Sequence, residues 1–184
     1  KTAKQYLKPF LGKPAAYFNR VKFEDLNGDF GEVSQGRWAA RVEDELNKPQ
    51  VMNLAIDKTY DPGTRELSME ISAIPLVDIP GNEFKVTIMI TESKIIDAQD
   101  DQFVIVDEYE HNHVLREVVT NFNGDFFADE LIKSEKVSKT YTYTVPDDTP
   151  GLWVEENLEV LAFIAMTEGE SEEVLQAAAD HLLD

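Results

Sequence analysis

From Pro49 onward the apolar residues of this chain recur at every second position. Met52, Leu54 and Ile56 alternate with Asn53 and Asp57, and Leu67, Met69 and Ile71 alternate with Glu66, Ser68 and Glu70. A period of two places one side-chain set on each face of an extended strand, and Asp61-Pro62-Gly63-Thr64 between the runs supplies turn chemistry, so the pair reads as a hairpin. Further strands are expected at Phe84 to Thr91, His113 to Val119, Val137 to Val145 and Leu158 to Ala165, each rich in β-branched or aromatic residues and bounded by turn formers. Six or seven short strands within ~115 residues predict an antiparallel sandwich.

Before Pro49 the period is helical. Trp38, Val42 and Leu46 recur at i, i+4 and i+8, with Ser34 placed as an N-cap and Asn47 and Pro49 as a stop. Ala3 to Phe10 reads as a short helix and Ala15 to Asn19 as a short strand. At the other end, Ser171 opens a segment to Leu183 with Glu172 and Glu173 in its first turn and Val174, Ala178 and His181/Leu182 at helical spacing, which predicts a closing helix.

Charge narrows the partners. Seventeen basic against 36 acidic residues in 184 give a net charge of −19, a field that repels phosphate backbones, so nucleic acid is excluded as a partner. The basic residues are scattered apart from small groups such as Lys133 to Lys139. There is no cysteine, hence no disulfide, thiol nucleophile or thiolate metal site within the chain. The longest apolar run, Val160 to Met166, suits a buried strand and falls far short of the ~20 residues of a membrane span, so no transmembrane segment is expected. Lys1-Thr2-Ala3-Lys4-Gln5 has neither an initiator Met nor an apolar signal core, which fits a mature or truncated product.

The densest chemistry lies in Glu108-Tyr109-Glu110-His111-Asn112-His113-Val114-Leu115-Arg116, which holds two of three histidines. If extended, Tyr109, His111 and His113 share one face and Glu108, Glu110 and Asn112 the other. Two readings compete. The imidazoles of His111 and His113 could bind zinc with an oxygen from Glu108, Glu110 or Glu92, although two ligands this close lack the separated set of a defined zinc site. Alternatively the histidines, Asn112 and Arg116 form a hydrogen-bonded network that fixes a strand start, with Arg116 paired to a carboxylate such as Glu92.

Asp25, Asn27 and Asp29 place oxygens at the first, third and fifth positions of a calcium loop, but Phe30 and Gly36 stand where the glycine and the bidentate glutamate belong. Asn123-Gly124-Asp125-Phe126 repeats the Asn-Gly-Asp-Phe of residues 27 to 30 and reads first as a tight turn. Asp97, Asp100 and Asp101 read as a solvated loop. Tyr141, Tyr143 and Trp153 offer either core packing or an exposed platform for a glycan or peptide. No Gly-x-Ser-x-Gly elbow surrounds any serine, and no nucleophilic site is expected.

Ile90-Thr91-Glu92, Ile96, Gln99, Tyr109, the unbroken run His111-Asn112-His113-Val114-Leu115-Arg116 and Gly124-Asp125 resemble the outer-membrane lipoprotein family named for a twenty-eight-kilodalton antigen of Gram-negative anaerobes. The resemblance runs from about Pro49 to Leu175 and includes Tyr141 to Val145 and Ala162-Phe163. It implies an immunoglobulin-like β-sandwich preceded by a thioredoxin-like region. Gly12-Lys13-Pro14 with Ala15 to Arg20, and then Ser34 to Leu46, resemble the closing half of that region. Its opening half, where redox-active relatives carry Cys-x-x-Cys, is missing from this sequence.

The expected architecture is therefore mainly β: residues 1–48 a partial thioredoxin-like α/β remnant, residues 49–184 an antiparallel immunoglobulin-like sandwich with a C-terminal helix. The expected role is a non-enzymatic cell-envelope binding or assembly module, at the outer membrane or in the periplasm, with a protein or glycan partner. His111, Asn112, His113, Arg116 and Glu92 are its binding candidates. The alternatives are a divalent-cation-dependent domain, with His111 and His113 or Asp25, Asn27 and Asp29 holding zinc or calcium, and a structural domain of a larger thiol-redox protein whose cysteines lie outside this chain.

Overall fold

The computed structural model of the chain describes residues 15–26, 31–32, 34–81, 83–101, 104–147, 153–167 and 172–183. In chain order these form β1 (Ala16–Tyr17), β2 (Gly31–Glu32), α1 (Gln35–Leu46), β3 (Met52–Asp61), β4 (Glu66–Pro75), β5 (Phe84–Glu92), β6 (Ile95–Asp101), β7 (Val104–His111), β8 (Val114–Val118), β9 (Asp125–Ala128), β10 (Val137–Thr144), β11 (Leu158–Met166) and β12 (Val174–His181). The segment Ala3 to Phe10, expected to be helical, lies outside the described residues.

Every strand pairing is antiparallel. One sheet has the order β10-β4-β3 and a second β12-β11-β5-β8, with β9 also pairing β5. The alternation of β3 and β4 has its expected consequence: Met52, Leu67, Met69 and Ile71 are fully or almost fully buried. They share one apolar cluster with Val86, Ile88 and Ile90 of β5 and Leu158, Val160 and Ile164 of β11, so both sheets contribute to one core. Along one edge the Lys58 ammonium of β3 lies 3.1 Å from Asp180 of β12, and Gln176 Nε2 donates to the Met52 carbonyl at 3.2 Å.

The expected closing helix is a strand. Val174 to His181 pairs with β11, Ala178 opposite Ala162 and Ala177 opposite Phe163, and Leu182 buries its side chain while its N–H donates to Leu158 O at 2.8 Å. Alanine is the best helix former, but propensity is a weak prior that tertiary context overrides, and the free edge beside the buried strand β11 does so here. Asp97, Asp100 and Asp101 likewise lie in a strand, β6, and not in a loop.

In the N-terminal region Ser34 occupies the N-cap position without a side-chain capping bond; its own N–H donates to Glu32 Oε1 at 2.9 Å. Glu32 is buried, and its carboxylate is met by Arg41 Nη2 at 3.1 Å. The apolar stripe of α1 is covered at Trp38, whose Nε1 donates to the Glu32 carbonyl at 2.9 Å, and opens toward its C-terminal end, with Leu46 79% exposed. A cleft of about 580 Å³ lies between α1 and the Val174–Gln176 end of β12.

Candidate functional site

The residues of the motif gather where the two arms of one hairpin break side by side. Strands β5 and β8 pair until Glu92 faces Val114, and pairing resumes in a separate ladder with Ile95 opposite His111, so β6 and β7 continue the same hairpin in a new direction. Between the ladders Lys94 and His113 take left-handed backbone angles, φ 60° and 54°, which break regular pairing on both strands. The lost ladder bonds are replaced by side chains. Asn112 Oδ1 accepts the Lys94 N–H at 3.0 Å, and Ser93 Oγ accepts the His113 N–H at 3.1 Å. The motif thus builds a fixed bend.

Below the bend sits a buried charge. The Glu92 carboxylate is 2% exposed. Its Oε1 accepts the Val154 N–H at 3.0 Å, and its Oε2 lies 3.1 Å from Arg116 Nε, an ion pair outside hydrogen-bond alignment. The Arg116 guanidinium also stacks 4.7 Å from the centre of the Trp153 ring. Ser93 N–H donates to Asn157 O at 3.0 Å, which ties the 153–157 loop to the same corner.

The two histidines do not share a face. His111 remains in β7, its ring 4.8 Å from that of Tyr109 in an edge-to-face contact, and with Gln99 and Asn112 these two line a hollow of about 410 Å³. His113, turned by its backbone, places Nδ1 3.1 Å from Glu159 Oε2 on β11. The third histidine, His181, approaches the other oxygen of Glu159 at 3.7 Å, a proximity that sequence spacing could not reveal. Among the described residues no group of three His, Asp or Glu side chains is arranged to hold a metal ion.

The acidic turns divide. Asn27 and Asp29 lie outside the described residues, while both oxygens of Asp25 are engaged by Arg41 and one also by Arg37. The Arg41 guanidinium beside Asp25 holds its carboxyl below the ordinary 3.8, and Arg37 adds to the effect. Asp125 closes its own turn, with Oδ1 accepting from Asn121 N–H at 3.1 Å and Asn121 Nδ2 at 2.6 Å. Tyr141 and Tyr143 do share a face of β10, but they pack against the core together with Trp153, so these three rings form no exposed platform.

Comparison with known proteins adds four findings. Residues 3–181 match the family model described as "Outer membrane protein Omp28". Among solved structures, HBP35 of Porphyromonas gingivalis aligns with a TM-score of 0.65 at 11% identity over 84% of this chain and 48% of that one, a likeness of fold in which this chain spans about half the other's length. A domain of the outer membrane lipoprotein Omp28 from Porphyromonas gingivalis aligns with a TM-score of 0.46 at 18% identity over 72% of this chain and 88% of that one. No curated protein matches the chain in sequence.

Proposed function

The chain belongs to the Omp28 family of outer membrane proteins, whose address is the cell envelope, and from that premise we propose that it is a non-enzymatic binding or assembly module. Its scaffold is read as an immunoglobulin-like sandwich over residues 49–184, supported by two antiparallel sheets around one core. Residues 1–48 are read as a thioredoxin-like remnant, supported by the β1–β2 pair followed by α1. The observation that carries the role is the division of labour in the motif. Glu92, Arg116, Asn112 and the His113 backbone fix the bend, whereas Tyr109 and His111 line an outward hollow on the ribbon beyond it. A rigid base under an outward surface is the arrangement that recognition sites use, because a preorganised surface loses little entropy on binding.

The test is photo-crosslinking in the native envelope, with a photoreactive residue at Tyr109 and, as control, at exposed Thr140 of β10. A discrete adduct at Tyr109 that is absent at Thr140 is the expected result. Equal labelling at the two positions, or none at Tyr109, overturns the reading.

A further inference from the structure

Beyond the bend, β6 and β7 form a two-stranded ribbon that pairs with no third strand among the described residues. Val104 to Glu110 are all exposed, as is Ile96; Ile105 is 68% and Val104 63% in solvent. An isolated ribbon with large apolar side chains in water is a surface without its partner. Its two edges differ. The ladder carries a bulge in which Asp107 and Glu108 of β7 oppose the single Ala98 of β6. On β6, Asp97 Oδ1 accepts the Ala98 N–H at 2.7 Å and Gln99 Nε2 donates to the Asp100 carbonyl at 3.0 Å, so the β6 edge is blunted by its own side chains. On β7, among the described residues, no side chain bonds to a backbone group.

Charge identifies the occupant. Between Ile95 and His111 the sequence carries Asp97, Asp100, Asp101, Asp107, Glu108 and Glu110 and neither lysine nor arginine. A second copy of this chain would bring the same six carboxylates and a net charge of −19 against them, so self-pairing is opposed. A strand alternating basic and apolar residues would satisfy the open edge, the exposed Val104, Ile105, Val106 and Tyr109, and the carboxylates together.

We propose that the outer edge of β7 is a strand-addition site for an extended, lysine- or arginine-rich segment of a partner protein. The proposal rests on the binding-module reading but specifies the chemistry of the ligand. Backbone pairing supplies register, apolar contacts supply area, and the acidic ribbon excludes anionic strands and speeds the encounter.

The experiment titrates the isotopically labelled chain with an alternating Lys-Val peptide at low salt and follows amide shifts by NMR. Shifts and slowed exchange along Val104 to Glu110 are expected, with affinity falling as salt is raised. The same side chains on an N-methylated backbone, or an alternating Glu-Val peptide, should bind at least roughly tenfold more weakly, as should the Lys-Val peptide to the Asp107→Lys/Glu108→Lys variant, whose fold is checked by its unchanged spectrum elsewhere. Equal binding of the N-methylated peptide would reduce the site to diffuse electrostatics and overturn strand addition. Shifts confined to other elements, or none, overturn it as well. A Tyr109 adduct in the envelope alongside either failure would leave the binding-module reading standing with another ligand chemistry.

Discussion

Replacing Arg116 by methionine should be among the most damaging single changes near the motif, and its magnitude follows from the geometry. Glu92 is 2% exposed and is left with a single hydrogen bond, from Val154 N–H at 3.0 Å, once the guanidinium is gone. Breaking a buried pair from one side costs about 3–5 kcal/mol, because an uncompensated charge remains. Arg116 is itself 19% exposed, so water can reach part of the vacated space and the low end, about 3 kcal/mol, is expected. That figure includes the lost stacking on Trp153, worth roughly 0.5–1 kcal/mol. For a domain of this size each kcal/mol moves the midpoint by about 2–4 °C, which gives a drop of roughly 6–12 °C in a calorimetric melt. Glu92→Gln keeps an acceptor for Val154 and leaves the arginine partly hydrated, so it should cost only about 1–2 kcal/mol. The double variant Glu92→Leu/Arg116→Met removes both charges and should be less destabilised than Arg116→Met alone, a coupling of ~2 kcal/mol or more. Additive losses, or an Arg116→Met midpoint within a degree or two of the parent, would refute the buried-lock argument.

Gly124 stands at φ +79°, and a Cβ there would lie 3.0 Å from the Val86 carbonyl and 3.1 Å from Lys85 Cβ. Gly124→Ala should therefore cost more than ~1 kcal/mol, read as a lowered urea midpoint with an unchanged slope. Burial pushes the Tyr60 phenol up to about 12, with the Glu155 carboxylate acting in the same direction, and burial followed by Asp125 does the same at Tyr141. Because these folded values exceed the ordinary 10, their stabilising contribution is whole below pH 10 and is lost as pH rises through about 12, so phenolate absorbance should grow together with alkaline unfolding. Zinc added to the chelator-stripped protein should leave the melting midpoint unmoved, since His111 faces Tyr109 while His113 faces Glu159. A zinc-dependent rise that disappears in His111→Ala/His113→Ala would establish a metal site.

The strands of the core were legible because a half-buried strand must alternate: Met52 to Asp61 and Glu66 to Pro75 carry that pattern, and their register keeps Leu67, Met69 and Ile71 inside. The apolar run of β11 and the β-branched and aromatic residues of β5 were legible for the related reason that central strands are covered. The helix over Gln35–Leu46 followed from its spacing and stop signals, and the six-residue motif pointed to the family and so to the envelope. The ribbon was hidden. With nearly all of Val104–His111 in solvent there is no buried face to impose a period on it, so Asp97 to Asp101 read as loop and the histidines as co-facial. β12 was hidden for the opposite reason, since its alanines prefer a helix in isolation and became a strand only because β11 offered an edge. The meeting of Glu92, Arg116 and Trp153, and that of His113, Glu159 and His181, exists only once distant strands are paired. Local sequence determined where apolar surface must be buried; tertiary structure decided which exposed segments became strands and which polar groups met, because those outcomes depend on partners remote along the chain.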